Sequence, residues 1–485
     1  MKSGLRQGCL VVGVIVSGMS TVHMAMAEEE ILWDFTPHIG ITQIYTDNVS
    51  LRPAGQEEHE HITQTDLGFS LHREGRRAAA DLAYNLQNLN YWRETRRNNT
   101  YHQFSGDGSI ELLEDRFFVD ASSTYSQRFQ SRRDNVTQDN LNDLGERRDV
   151  LTFHFSPNYL QRMGDVATGQ LRYTHDRVDY QDSSTSSFDS ETNQVLARIA
   201  SGSMFSRIGW ELSYRRSETE YDDGSSVTFQ TAEALLRWFV TDRLNLFVAG
   251  GEEDNEFVQD ARRARPDDTF WRAGVGWQGT RTDMEAFYGE RFFGETYGAS
   301  LNHRFRNSQF SMEYSEGLTT VSQFEIERVV VPVVDDAGDP LIVNGQPVFL
   351  ELEYPDLQTG VYLSRRFNLG FSGERRKLTW SVRGFDERRE FEVNDRRERV
   401  RGLGVNFALR VAGRTQLLLN GSAQNSTYQE DDREDYYYVV GTGVRRELGP
   451  RTSASLNYRY AERESNQPGN EFIENRISLG FRKRF

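Results

Sequence analysis

Long stretches of this chain place an apolar residue at every second position. In Arg207-I-G-W-E-L-S-Y-Arg215, Ile208, Trp210, Leu212 and Tyr214 share one face, and Arg207, Glu211, Ser213 and Arg215 share the other. Trp271, Ala273, Val275 and Trp277 repeat the pattern, as do Phe310, Met312 and Tyr314, then Leu378, Trp380 and Val382, then Leu456, Tyr458 and Tyr460. A side-chain period of two is the signature of a strand. Several of these strands run for roughly 12 to 16 residues, against about 5–6 in an ordinary globular sheet. A tilted strand that crosses a bilayer needs about 9–11 residues. After Ala27 no run of 18 apolar residues occurs, which excludes transmembrane helices. Aromatic residues still make up 12% of the chain. That composition also suits a soluble sandwich, propeller or solenoid; strand length selects the membrane β-barrel.

The connections alternate in kind. Short turns fall at Arg73–Arg77, Glu114–Asp115, Met163–Asp165, Ser201–Ser203, Thr241–Asp242, Gly279–Arg281, Arg306–Asn307, Ser372–Glu374, Ala412–Arg414 and Gly449–Pro450. Between them lie longer, more polar loops, near 46–60, 93–98, 130–148, 182–190, 222–225, 252–268, 290–294, 321–350, 391–398, 430–434 and 464–471. The expected fold is therefore all-β. It is a transmembrane antiparallel up-and-down barrel of about 22 strands, within a range of 18–24, with short periplasmic turns and longer extracellular loops. An even strand number places both ends on the periplasmic side. Closure requires the last strand to pair with the first, so Ile477–Phe481 should lie beside Trp33–Tyr45.

The start of the chain reads as a secretory signal. Lys2 and Arg6 precede the apolar run Cys9–Met19, and Ala25-M-Ala27 supplies the small-residue cleavage site. Residues 1–27 are expected to be removed, leaving 28–485 as a single outer-membrane barrel domain with no room for a plug ahead of it. The only cysteine leaves with the signal, so no disulfide is expected. Of 57 basic residues, Lys2 and Arg6 go too, leaving 55 against 73 acidic, a net charge of −18. Nucleic acid is excluded as a partner, since it demands a basic surface.

In a barrel the apolar set faces lipid and the polar set faces the lumen. Lumen-lining candidates are Arg172, Asp176, Arg207, Glu211, Arg272, Glu285, Glu313 and Arg383. As a set they describe a hydrated interior of mixed sign; singly, each reads first as a solvated or paired charge. Trp33, Tyr91, Trp92, Tyr436 and Tyr438 are expected at the membrane interfaces. In loop 321–350, Val329–Val334 and Leu341–Val343 flank Asp335-D-A-G-D-Pro340. This apolar hairpin is either a lid over the mouth or an extension of the wall. Asp335, Asp336 and Asp339 lack the ligand set of a calcium loop. His59 and His61, in Glu57-E-H-E-His61, read first as an exposed polar loop. No metal, cofactor or catalytic residue is expected: no nucleophile elbow, H-E-x-x-H or P-loop is present.

Three features carry a family resemblance: Trp33-D-F-T-P-H-I-Gly40, Tyr45-T-D-N-Val49, and a terminal strand ending in Phe485. The chain resembles the PEP-CTERM-system-associated outer membrane proteins linked to exopolysaccharide clusters and, more loosely, β-barrel porins of that context. The resemblance implies the outer membrane of a Gram-negative envelope and a part in exopolysaccharide export; it brings no catalytic residues. The expected function is a passive channel or export conduit for exopolysaccharide, meeting outer-membrane lipid, polysaccharide and periplasmic export components. The alternative is a closed structural or assembly barrel that anchors secretion partners through its loops. An outer-membrane enzyme acting on lipids ranks last, because no Ser/His/acid set declares itself. What is known of barrel proteins further implies that the terminal strand, with Ile473, Ile477, Leu479, Phe481 and Phe485 as its apolar set, is read by the barrel-assembly machinery. Lys483 interrupts that face and can snorkel to the head groups.

Overall fold

The computed structural model describes residues 33–129, 139–142, 147–181, 188–258, 266–323, 342–343, 346–347, 360–394 and 396–485. Residues 1–27 lie outside these, as does most of loop 321–350, including Asp335, Asp336 and Asp339.

The strands are β1 Asp34–Thr46, β2 Glu60–Glu74, β3 Ala78–Tyr91, β4 Asn99–Leu113, β5 Phe117–Phe129, β6 Arg147–Met163, β7 Ala167–Tyr180 and β8 Ser190–Ser201. There follow β9 Ile208–Tyr221, β10 Ser226–Phe239, β11 Leu244–Glu256, β12 Asp268–Gln278, β13 Thr282–Arg291, β14 Gly294–Arg304 and β15 Ser308–Thr320. A small ladder pairs β16 Ile342–Val343 with β17 Gln346–Pro347. The wall resumes with β18 Val361–Arg375, β19 Leu378–Phe391, β20 Arg397–Ala412, β21 Thr415–Tyr428, β22 Arg433–Gly449, β23 Thr452–Ser465 and β24 Phe472–Arg484.

Leaving β16 and β17 aside, 22 strands form one sheet, each antiparallel to its sequence neighbour, and β24 returns to β1. At this seam Ile41 faces Phe481, Gln43 faces Leu479 and Tyr45 faces Ile477. The sheet has no edge, which is the condition for a β-structure to stand in lipid, where an unpaired N–H or C=O finds no partner. The phase of the side chains follows the alternation in the sequence. Ile39, Ile41, Leu212, Trp271, Ile473, Ile477, Leu479, Phe481 and Phe485 are exposed on the outer wall. Thr42, Asp176, Glu474, Arg476 and Ser478, in the opposite phase, are buried inside. Lys483 keeps the outward phase and places its Nζ 5.1 Å from the Phe485 ring centroid.

Two expectations are corrected. Ser372–Glu374 is not a turn but the end of β18; the turn follows at Arg376, which takes φ +57°. Tyr91 does not reach an interface. It shares the phase of Gln87 and Leu89, points inward and is 2% exposed, whereas Trp92, one residue on, is 64% exposed on the outer wall.

The interior is packed unevenly. Its buried apolar clusters lie toward the long-loop end: Ile44, Ile62, Leu89 and Tyr91 with Leu141; Tyr437, Val439 and Phe472 with Leu51; Tyr221, Val227 and Val361. Toward the short turns, lumen-phase residues such as Glu313 and Arg383 are exposed.

Candidate functional site in the lumen

The lumenal wall carries a repeated unit built from a glycine, a phenylalanine, an arginine and a glutamate. On β11, Phe247 lies across from Gly274 of β12. A Cβ at Gly274 would stand 2.4 Å from Phe247 Cζ, so the ring lies over the bare backbone. Arg237 of β10 stacks on the same ring, 5.0 Å from its centroid. It is held by Asn245 at 2.7 Å and Glu285 at 3.3 Å. Phe287 of β13 repeats the arrangement over Gly298 of β14, where a Cβ would fall 2.0 Å from Cε1. Arg272 stands 5.3 Å from the Phe287 centroid and donates to Glu233 at 2.8 Å. Phe385 of β19 covers Gly402 of β20, with Arg366 at 5.8 Å and Glu387 3.6 Å from Arg366.

Glycine weakens a strand unless something fills the gap it leaves, and a cross-strand aromatic ring does so. The ring is then fixed by the wall beneath it. The guanidinium gains a cation–π contact and a carboxylate partner, so its long side chain is held rather than free. Phe247 is buried by this arrangement, while Phe287 and Phe385 are half-buried and keep part of each ring open to the lumen, edged by paired charges of both signs.

Of the sequence candidates, Arg272 and Glu285 belong to these units. Asp176 is buried on the lumenal face and pairs with His154 at 2.5 Å; Arg172 is half-buried on the same face of β7. Glu211 pairs with Arg198 at 2.5 Å. Glu313 and Arg383 are exposed at lumen-phase positions of β15 and β19. Arg207 is not on the wall: it is exposed in the turn before β9. His59 contacts Arg93, while His61 sits between Tyr45 and Trp92 on the outer face, so the two histidines serve different contacts. Among the described residues no group of three His, Cys, Asp or Glu is placed to hold a metal ion.

A second feature narrows the mouth. Residues 139–142, from the connection between β5 and β6, fold into the lumen against the closing seam. Leu141 is wholly buried among Ile44, Ile62, Leu89 and Tyr91, and Tyr91 donates its hydroxyl to the Leu141 carbonyl at 2.7 Å. Arg476 of β24 bonds Asp139, Asn142 (2.6 Å) and Glu474 (2.7 Å). Arg459 reaches Glu474 at 3.2 Å and Asp139 at 3.7 Å, and Arg147 holds Asn140 at 2.9 Å. Across the lumen, Val321–Gln323 also turn inward: Ser322 meets the Tyr221 hydroxyl at 3.0 Å and Gln323 donates to Ser217 at 3.2 Å. These three residues begin loop 321–350, the rest of which lies almost wholly outside the described residues.

Sequence reading missed Arg237, Glu233, the phenylalanines and glycines of the units, and the docked segment. Each depends on strand register or on a loop's return path.

The family described as "Putative beta-barrel porin 2" matches residues 375–485. No curated protein matches the chain. Among solved structures, the FrpB iron transporter from Neisseria meningitidis (F3-3 variant) is similar at 10% identity, over 93% of this chain and 82% of that one, with a TM-score of 0.47. The siderophore receptor PirA from Acinetobacter baumannii is similar at 7% identity, over 94% and 81%, with a TM-score of 0.46. A loop L8 deletion mutant of OmpT, an outer membrane protein of Vibrio cholerae, is similar at 8% identity, over 94% and 99%, with a TM-score of 0.33. With its edgeless sheet, apolar outer wall and charged interior, and a porin family matching its last strands, the chain is an outer-membrane β-barrel of porin-like fold.

Proposed function

We propose that the barrel is a passive conduit that carries a polysaccharide across the outer membrane as part of exopolysaccharide export. The observation behind this reading is the set of Gly–Phe–Arg–Glu units on the lumenal wall. A sugar ring has an apolar C–H face and a rim of hydroxyls. A flat aromatic ring suits the first; paired guanidinium and carboxylate groups suit the second, as donor and acceptor. Repetition along the wall lets a polymer pass from one unit to the next with no covalent step. The resemblance to exopolysaccharide-linked barrels supports the same reading.

The test is the conductance of the purified barrel in planar bilayers, with and without polysaccharide, alongside secretion by a deletion strain. The conduit reading expects ion current that polysaccharide interrupts, and lost secretion in the deletion. No current together with normal secretion would sink it. A second reading, a closed barrel that anchors secretion partners through its loops, is favoured by the docking of 139–142 in the mouth. Current that appears only when that segment is released identifies a gated conduit; none in either form favours the anchor.

Assembly has its own test. Phe485 stands on the outer face with Ile477, Leu479 and Phe481. If the assembly machinery reads this strand, deleting Phe485 lowers the amount of heat-modifiable barrel in the outer membrane. Unchanged assembly would return Phe485 to the role of an ordinary strand residue.

A further inference from the structure

The outer wall near the seam is unlike the rest of the wall's upper part. Elsewhere the outward residues toward the long loops include charged groups. Arg216 pairs with Glu218 at 3.2 Å, Arg399 pairs with Asp386 at 2.5 Å, and Glu434 accepts from Tyr436 at 2.8 Å. Across β1 to β4 the corresponding outward positions are amides and hydroxyls. Gln43 faces Thr63, Thr63 faces Asn90, and Asn88 faces Thr100. Hydrogen bonds tie them into two groups that lie side by side in one patch. Thr63 donates to Gln43 at 3.1 Å, Asn90 to Asn88 at 2.5 Å, and Asn88 to Thr100 at 2.7 Å.

Above the patch sit three exposed rings. His61 lies 4.9 Å from Tyr45 and 5.6 Å from Trp92, centroid to centroid, with the planes tilted by 46° and 33°. The Trp92 indole N–H donates down into the patch, to Thr63 at 2.9 Å. Tyr and Trp on a barrel's outer wall mark the membrane interface. The neutral patch therefore lies at the boundary between head groups and acyl chains.

The bonds among these residues use only part of their capacity, and hydrocarbon cannot satisfy the amide N–H groups and lone pairs left over. The patch residues carry no charge to attract a phosphate or an ammonium group, and the nearby Asp47 is bonded to Asn475. Neutral donors and acceptors under a shallow aromatic shelf fit a neutral, hydroxyl-rich ligand. We infer that this face binds the saccharide head group of an outer-leaflet glycolipid, with the sugar on the Trp92 shelf and the acyl chains along the apolar wall below. The site is separate from the lumen, so it stands or falls independently of the conduit reading.

The test uses the full barrel reconstituted in phosphatidylethanolamine vesicles with or without glucosyl diacylglycerol, followed by native mass spectrometry of retained lipid. Wild-type protein is expected to keep the glycolipid in preference to phosphatidylethanolamine. Trp92→Ala and, separately, Asn88→Leu/Asn90→Leu are each expected to reduce retention by about tenfold or more, the equivalent of about 1.4 kcal/mol. Heat-modifiability shows which variants fold, and either one suffices. Glu434→Gln, in the charged sector, should retain the lipid. Equal retention by wild type and a folded variant overturns the inference. So does equal affinity for a free disaccharide, which would mean a soluble sugar site. A wild-type dimer that the variants convert to monomer overturns it in favour of a second copy of the chain.

Discussion

Replacing Arg476 with alanine is expected to free residues 139–142 from the lumen and raise the barrel's conductance. Arg476 is 0% exposed and bonds Asp139, Asn142 and Glu474 at once. Its loss leaves the buried Glu474 carboxylate with Arg459, and the buried Asp139 carboxylate with Arg459 and Arg147 of β6. Removing one partner of a buried ionic cluster typically costs about 3–5 kcal/mol, most of it from the charge left uncompensated. The wall itself is tied by its ladder, so the cost falls on the docked segment, which the variant sheds. Two measurements check this: larger single-channel current, and new protease cleavage near 139–142 in a barrel that remains heat-modifiable. Arg476→Lys should lie between, because an ammonium cannot reproduce the three-way fork. The same network sets a pH dependence. Burial alone would raise the Asp139 pKa, but Arg476, Arg459 and Arg147 outweigh it and hold the carboxyl below its ordinary value. A depressed pKa in the docked state means docking is fully favoured above the free value of about 3.9 and weakens as pH falls through the lower docked value. Current should therefore stay flat from neutral pH to about 4 and rise only in stronger acid. A wild type and an Arg476→Ala variant equally resistant to protease would show that Arg476 does not hold the segment.

What could be read from the chain and what could not divide along physical lines. Alternation such as Ile208, Trp210, Leu212 and Tyr214 reports which face a side chain takes, and the seam pairs Ile477–Phe481 with Ile41–Tyr45 as closure demands. Phase is fragile at strand ends, however. Tyr91 and Trp92 are adjacent aromatics beside a loop, and nothing local says which one points inward. A Gly flanked by polar residues reads as a turn at Ser372–Glu374, but Gly373 lies opposite Trp380 within the ladder, and Arg376 turns the chain instead. The lumenal units were hidden for a further reason. Phe287 covers Gly298 and Phe247 covers Gly274 only in one register, and a period-two pattern leaves register open by any even shift. Arg272 and Glu285 could be named as lumenal charges, but not that each belongs to a different phenylalanine. The docked segment was out of reach altogether: Asp139-N-L-Asn142 reads as polar loop until Leu141 is seen in its apolar cluster.

Gly298→Val separates a functional rail from an ordinary wall by the sign of its effect. In a plain strand, valine in place of glycine stabilises, since it removes backbone freedom from the unfolded chain and suits the pleat. At Gly298 a Cβ would fall 2.0 Å from Phe287 Cε1, so the ring must leave its seat. Forcing such a displacement costs about 1–3 kcal/mol. Arg272 then loses the ring beneath its guanidinium and keeps Glu233 as its partner. The barrel should unfold at a lower temperature in the heat-modifiability assay. Polysaccharide should also block current more weakly, because the flat apolar face is gone from that unit. Adding Phe287→Ala removes the clash, so Gly298→Val/Phe287→Ala should recover stability. It should not recover block by polysaccharide, since no ring remains to meet the sugar face. Gly274→Val should differ in one respect: its Cβ would lie 2.4 Å from both Phe247 Cζ and the Ala286 carbonyl oxygen, so adding Phe247→Ala should not recover stability. If the stability-restored double variant is blocked as strongly as wild type, the phenylalanines serve only to cover glycine, and the polymer's path lies elsewhere in the lumen.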